Sequence, residues 1–323
     1  MDLTRRQFLE VAAAGAVAGP SVGAAAAPKL PTRPFGRTGL VVPIVGFGSG
    51  SRFLSYDDDK ALEALNRAID LGITYIDTAH SYGDGKSEER IGRIMPARRK
   101  EVTLATKLPG RTADEVKRQL ELSLKRLRTD HLDVVHIHQL RDLDDLAVAE
   151  RPDGAIRALY EAREQKVVKA VGITCHANPA ALRTALERHD FDATQMALNA
   201  GLARMAEGGP SGMTATPMPT GSFESLALPV AVRKKLGIIA MKVFGQDQLV
   251  GTAPIEKLLR YALSLPVSLT SLGMPKLEFI ERNVELARRF TPMSDAERHE
   301  LSDSICAKKK VAMNAFFRRH EDV

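Results

Sequence analysis

Four residues of this chain sit at or just beyond the ends of apolar runs, where a hydrophobic core has no use for them: Asp77, Tyr82, Lys107 and His138. They occur in Asp77-Thr78-Ala79-His80-Ser81-Tyr82-Gly83, Leu104-Ala105-Thr106-Lys107 and Asp133-Val134-Val135-His136-Ile137-His138. A carboxylate, a phenol, an ammonium and an imidazole brought together make a proton-donating site. Singly, each has a plainer use: Tyr82 as an amphipathic rim residue, Asp77 as a loop cap, Lys107 as a solvated strand end. The histidines are open to other chemistry, because His136 and His138 with His80 and His176 supply imidazoles suited to a metal-dependent hydrolase.

The elements that must position these residues follow from the hydrophobic pattern. Short β-rich runs alternate with amphipathic stretches of ten or more residues, which is the pattern of repeated βα units. The strand candidates are 44–48, 74–77, 102–107, 132–138, 168–174, 193–199, 237–242 and 269–274, nearly continuous in apolar residues as strands buried on both faces must be. Between the third and fourth, Val116, Leu120, Leu124 and Leu127 form one helical stripe opposite Lys117, Arg118, Glu121 and Lys125. Eight such strands, with no complete GxGxxG after the first, predict an α/β fold of the (β/α)8 TIM-barrel class rather than an open sheet. Asp77, Lys107 and His138 then end the second, third and fourth strands on the C-terminal face, where barrel enzymes build their sites. A His-x-His pair on the fourth strand is unusual for a metal-dependent barrel, and His136 is expected one layer below His138 as an interior histidine with a hydrogen-bond partner. Residues 200–222 lack periodicity and read as a long structureless loop, either a lid over substrate or a surface excursion.

The chain has 323 residues, 44% hydrophobic, with Lys+Arg 46 against Asp+Glu 40. That suffices for one catalytic domain, and the spread of its excess charge suits anionic small molecules without demanding nucleic acid. Cys175 and Cys306 lie far apart and form no disulfide framework, although one bridge between them stays open. At the start, Thr4-Arg5-Arg6-Gln7-Phe8-Leu9 precedes a weakly apolar run and the small residues Gly23-Ala24-Ala25-Ala26-Ala27. This order predicts a twin-arginine signal peptide over 1–26, cleaved after Ala26, a partner in the twin-arginine (Tat) export machinery, and a periplasmic or exported protein. The run is too short for a spanning helix, so no stable membrane span is expected in the mature form. A Pro-rich linker over 27–34 and a barrel with a C-terminal extension over 35–323 complete the expected organisation. The tail residues 313–317 are expected either to close over the site or to pack outside the barrel.

Four stretches occur in the order and spacing of a known family: Phe35-Gly36-Arg37-Thr38-Gly39, the Asp77-to-Gly83 run, Thr106-Lys107, and Ser123-Leu124 with Arg126-Leu127, Asp130 and Asp133. From about residue 33 to about residue 289 the chain resembles the aldo-keto reductases. The resemblance implies Asp77, Tyr82, Lys107 and His138 as a catalytic tetrad that reduces a small-molecule aldehyde or ketone with NADP, or with NAD. A phenol of ordinary pKa about 10 can protonate an alkoxide as hydride arrives, and Lys107, held by Asp77, is expected to lower that pKa. His138 is expected to orient the carbonyl oxygen. The resemblance further places Thr174 and Gln195, with Asn199 nearby, at the nicotinamide carboxamide. It places Met241, Lys242, Phe244 and Gln246, at and after the end of the seventh strand, among the cofactor-binding residues, with Met241 where an aromatic often stacks on the nicotinamide, and Gly273, Lys276 and Asn283 at the phosphate and adenine end, where a helix N-terminus favours anions. Phe279 stands where many NADP-users carry Arg. The alternative reading is a nicotinamide-binding sensor or partner module with little turnover.

Overall fold

The computed structural model describes residues 29–207, 213–217 and 221–317. The expected signal segment, 1–26, lies outside the described residues. The strands are β1 Thr32–Pro34, β2 Val41–Pro43, β3 Val45–Gly48, β4 Tyr75–Asp77, β5 Thr103–Leu108, β6 Leu132–Ile137, β7 Val168–Cys175, β8 Ala193–Ala197, β9 Ala203–Glu207, β10 Met213–Pro217, β11 Gly237–Met241 and β12 Leu269–Gly273. Eight of them close a parallel barrel in the order β11-β12-β3-β4-β5-β6-β7-β8. These are the eight apolar runs predicted, each boundary within two residues of its expected place.

Alternation along each strand divides its side chains between two cores. Tyr75, Ala105, Val134, Ala170, Ala193, Ile239 and Leu269 meet inside the barrel, sealed from below by Phe35 and Val42. The outward residues pack against the surrounding helices, for example Val116, Leu120 and Leu127 of helix Ala113–Leu127. That helix starts on a capping box between Thr112 and Glu115, so its first orphan N–H groups are satisfied locally. The Phe35-to-Gly39 stretch proves to be the turn between β1 and β2. Gly36, at φ 56, approaches β11 so closely that a Cβ would stand 2.3 Å from Gly237 N, which leaves no room for any other residue.

Three expectations change, and the structure places the cysteines and the tail, both left open by the sequence. Residues 32–34 are no linker, because β1 pairs with β2 in an antiparallel hairpin at the barrel floor. Within 200–222, β9 and β10 form a second antiparallel hairpin; two strands that pair only with each other need no apolar alternation, so the pattern did not show them. Both cysteines are free. The tail is helical over Asp295–Phe317, and it meets the segments after β8 and β11 through Cys306 Sγ to Gly201 O at 3.7 Å and Lys308 Nζ to Thr252 O at 3.0 Å. The predicted partner of His136 is missing: its ring is fully buried, and neither nitrogen finds one among the described residues. It fills the space left by Gly172, where a Cβ would lie 2.3 Å from its Nδ1, while Lys107 and Asp77 above it bond to each other.

Burial, helped by the charge of Lys107, holds the His136 pKa down at about 3. An unfolded histidine titrates near about 6.5, so between these values the unfolded chain takes up a proton that the folded chain refuses, and stability falls as the pH is lowered through this window. His136→Leu is therefore expected to lose less unfolding free energy than the parent between about pH 7 and about pH 4. Urea titrations at both pH values check this, and an equal loss in the two proteins would refute a neutral buried His136.

Candidate active site

Strand alternation brings Asp77, Lys107, Thr174 and Gln195 to the barrel mouth, one layer above His136. Asp77 Oδ1 accepts from Lys107 Nζ at 2.6 Å, and its Oδ2 accepts from Gln195 Nε2 and Ser271 Oγ, each at 2.8 Å. Lys107 Nζ also donates to Thr78 O at 2.7 Å and to the Tyr82 phenol oxygen at 3.5 Å, standing 4.9 Å from the centre of its ring. The Tyr82 and His138 rings meet edge to face at 5.7 Å. Ionised groups so deeply buried are tolerable only when their hydrogen-bonding capacity is used, as it is here.

The loop carrying Tyr82 is fixed from both sides. Thr78 N donates to Ala105 O at 2.9 Å and His80 N to Lys107 O at 3.0 Å, continuing the ladder past the end of β4. The chain then turns through a short 3-10 segment, Tyr82–Gly85, with Gly83 and Asp84 at φ 59 and 54. Arg126 clamps this turn, donating to His80 O at 3.1 Å and Asp84 O at 3.2 Å and pairing with the buried Glu88 at 3.4 Å. That is the work of the Arg126 motif seen in the sequence. From below, Ser49 Oγ donates to Asp77 O and Ser87 Oγ to Ser49 O, both at 2.9 Å.

His138 follows β6 in a segment held by Arg111, whose guanidinium donates to His138 O at 2.9 Å and pairs with Asp145 at 2.9 Å. Thr174 belongs to this support. Its hydroxyl accepts from Gln139 N at 2.8 Å, a bond that supports the His138 turn and does not use the hydroxyl's own proton.

Protonation is set by the same burial. Desolvation raises the Tyr82 pKa, and the charge of Lys107 offsets only part of this, so the net shift is upward. Lys107 favours the phenolate as expected, but exclusion of water outweighs it. The phenol is protonated at neutral pH, as a donor must be. Burial opposes the Lys107 charge, yet Asp77 and Tyr82 more than restore it, and its pKa is raised. His138 is held well below the ordinary histidine value by burial and then by Lys107, so its imidazole is neutral. Among the described residues no three His, Cys, Asp or Glu side chains converge on a common metal position.

The remaining residues singled out in the sequence lie on two segments of the rim. Met241 ends β11 and is buried, and Lys242, Phe244 and Gln246 follow it half-buried. Gly273 ends β12 exposed, Lys276 is the exposed N-cap of helix Leu277–Arg288, and Asn283 is buried within that helix. Two amide oxygens, Gln195 Oε1 and Gln246 Oε1, are buried without partners among the described residues. Gln195 has its nitrogen tied to Asp77 and its oxygen free beside the tetrad, which suits the amide donor of a nicotinamide carboxamide. Sequence reasoning missed Ser271 and the Arg111–Asp145 pair. Ser271 was accessible from strand alternation, two residues after the inward Leu269, whereas Arg111 and Asp145 meet only through folding.

The sequence model of the aldo/keto reductase family matches residues 44–207, just over half of the chain. The chain belongs to the aldo/keto reductase family. The D-threo-aldose 1-dehydrogenase of a Pseudomonas species is 29% identical over 251 residues, 67% of this chain and 70% of that protein. The L-galactose dehydrogenase of Arabidopsis thaliana is 34% identical over 161 residues, 45% of this chain and 49% of that protein. With the latter, as with an uncharacterized oxidoreductase of Bacillus subtilis that is 33% identical over 154 residues, 44% of this chain and 48% of that protein, this chain spans about half of the relative's length. Among solved structures, the holo aldo-keto reductase AKR11C1 of Bacillus halodurans superposes with a TM-score of 0.68 at 22% identity, covering 85% of this chain and 96% of that one. An aldo-keto reductase of Klebsiella pneumoniae in complex with NADPH gives 0.66 at 21% identity, covering 86% and 96%. At such identities the superpositions establish the barrel fold.

The Arg111–Asp145 pair generates a test. Burial alone would raise the Asp145 pKa, but bonds from Arg111 and Arg141 outweigh it and hold the carboxyl below its usual range. Asp145→Ala leaves Arg111 partly buried and unpaired, and is expected to cost about 3 kcal/mol at neutral pH. A depressed carboxylate stabilises above its unfolded pKa and loses that contribution as the pH falls through the folded one, so parent and variant should converge in acid. Urea midpoints across the acid range check both expectations.

Proposed function

We propose that this protein is an NAD(P)H-dependent aldo-keto reductase that converts a small aldehyde or ketone to the alcohol, with Tyr82 as proton donor. The observation that carries the reading is the buried chain from Asp77 through Lys107 to a protonated Tyr82, with the neutral imidazole of His138 beside it. Family membership and the dehydrogenase relatives support it. NADP(H) is favoured by the NADPH complex of the Klebsiella protein and by an NADP-dependent relative in Schizosaccharomyces pombe, 33% identical over 167 residues. Gln195 and Gln246 would hold the dinucleotide through their unpartnered oxygens, with Gly273, Lys276 and Asn283 toward its phosphate and adenine end.

A bound reduced nicotinamide supplies the hydride to the carbonyl carbon. As charge grows on the carbonyl oxygen, the Tyr82 hydroxyl transfers its proton there and completes the alcohol. Lys107 stabilises the phenolate left behind, and Asp77 keeps Lys107 charged and aimed. His138 donates a hydrogen bond to the same oxygen and fixes the carbonyl before transfer. A binding module with little turnover would have no need of this proton-donating chain, which favours the enzyme. Tyr82→Phe removes the transferable proton, and is expected to lower kcat/KM for NADPH-dependent aldehyde reduction about 10³-fold while quenching of nicotinamide fluorescence still reports binding. Full activity in that variant would refute the assignment.

We further propose export through the twin-arginine route, on the strength of Arg5-Arg6 before the apolar run and the small residues ending at Ala27. Replacing Arg5 and Arg6 together with Lys is expected to retain the protein in the cytoplasmic fraction of a bacterial host. Unchanged recovery from the periplasm would count against this route.

A further inference from the structure

One buried titratable group at the barrel mouth takes no part in the proton-donating chain. His176 follows directly after β7 and is 8% exposed. It comes two residues after the inward Thr174 and so shares that face of the chain. Its ring lies beside that of His138, 6.4 Å away between centres and tilted by 60°. Its Nδ1 is enclosed without a partner, and its Nε2 makes no hydrogen bond among the described residues. Burial, and then the charges of Lys242 and Lys107, hold its pKa down at about 3, so the imidazole is neutral.

An apolar side chain would fill this space without burying an idle polar group, which costs free energy until it finds a partner. The other unpartnered imidazole, His136, lies in the barrel interior against Gly172, where no substrate reaches. His176 instead stands at the mouth, in line with the groups that handle the carbonyl. The rings of Tyr82, His138 and His176 follow one another at 5.7 and 6.4 Å. The first two meet the carbonyl oxygen, so the third faces what the substrate carries next to it. Two imidazoles at this spacing, each reaching about 2.9 Å through a hydrogen bond, can hold two oxygens on adjacent carbons. The remaining polar groups of this layer are committed: Lys107, Gln195 and Ser271 all bond to Asp77. A carboxylate suits His176 less well, because a neutral imidazole gives it one bond and no charge. A hydroxyl suits it in either tautomer, since it can accept a hydrogen bond or donate one.

We propose that His176 is a specificity-determining residue of the reduction: its Nε2 bonds to a hydroxyl on the carbon next to the reducible carbonyl, and the preferred substrates are α-hydroxy aldehydes or ketones. Nε2 takes this part because Nδ1 is enclosed. The inference rests on the reductase reading, to which it adds a substrate class.

The test compares 2-hydroxyacetophenone with acetophenone in steady-state NADPH oxidation by the full chain and its His176→Leu and His176→Gln variants. The change in the hydroxy-to-deoxy ratio of kcat/KM between proteins cancels the intrinsic reactivity of the two ketones. His176→Leu is expected to lower that ratio about 10-fold, the upper range for one neutral hydrogen bond. His176→Gln, whose amide reaches the place of Nε2, should keep it within about threefold of the parent. Calorimetric titration of 1-phenyl-1,2-ethanediol and 1-phenylethanol into the parent saturated with NADP⁺ should show tighter binding of the diol, a readout that does not depend on the folding of any variant. Equal affinity for the two alcohols would overturn the proposal. So would a ratio unchanged in His176→Leu, with activity toward both ketones lost in equal measure, which would make the residue a support for His138. Weaker NADPH binding in His176→Leu with the ratio intact would assign the histidine to the dinucleotide and overturn it as well. Failure of the parent to oxidise NADPH with any carbonyl in a panel of small aldehydes and ketones would overturn the reductase reading and this proposal together.

Discussion

The buried ion pair between Asp77 and Lys107 governs the architecture of the barrel mouth. Withdrawing a carboxylate and an ammonium from water costs several kcal/mol for each ion, and their attraction offsets this only if the remaining hydrogen-bonding positions are filled. Here Ser271 of β12, Gln195 of β8 and the Thr78 carbonyl beyond β4 fill them. Side chains or backbone from strands β4, β5, β8 and β12 must therefore hold a single register at their upper ends. A slip of one residue in any of these strands would turn its contribution out of the barrel, so the fold and the site impose the same constraint.

The surrounding loops are held by arginines as well as by apolar packing. Arg126 binds the backbone on both sides of Tyr82, Arg111 binds the backbone of His138, and Arg90 donates to Phe53 O at 3.1 Å and Tyr56 O at 2.7 Å in the segment after β3. Each has an acidic partner: Glu88, Asp145 and Asp58. A planar guanidinium with five donors can satisfy several carbonyls of an irregular loop at once. Chemistry placed on loops at the rim of a rigid barrel needs such anchors, since a loop by itself leaves its catalytic side chain too mobile to align a proton.

Exclusion of water acts differently on the three titratable groups of the mouth. It keeps the Tyr82 proton on oxygen and His138 neutral, whereas the charge on Lys107 survives because Asp77 and Tyr82 stand against it. A donor, a neutral hydrogen-bonding group and a fixed cation thus coexist within one layer.

The sequence by itself determined the eight barrel strands, the helix over Ala113–Leu127 and the three strand ends that carry Asp77, Lys107 and His138. Each is written in local patterns: continuous apolar runs, a stripe at helical spacing, and polar residues where an apolar run stops. Tyr82 and the Arg126 motif were legible as spacing, although what Arg126 grips was not. Only the tertiary structure decided that Ser271 and Gln195 share the Asp77 carboxylate, that Thr174 serves the His138 turn, that His136 stands without a partner and that 203–217 contains a hairpin. It also decided that the Tyr82 pKa rises although a lysine lies beside it. These outcomes depend on contacts between residues up to 194 positions apart and on water removed by the closed barrel, and neither quantity is carried by any local stretch of the chain.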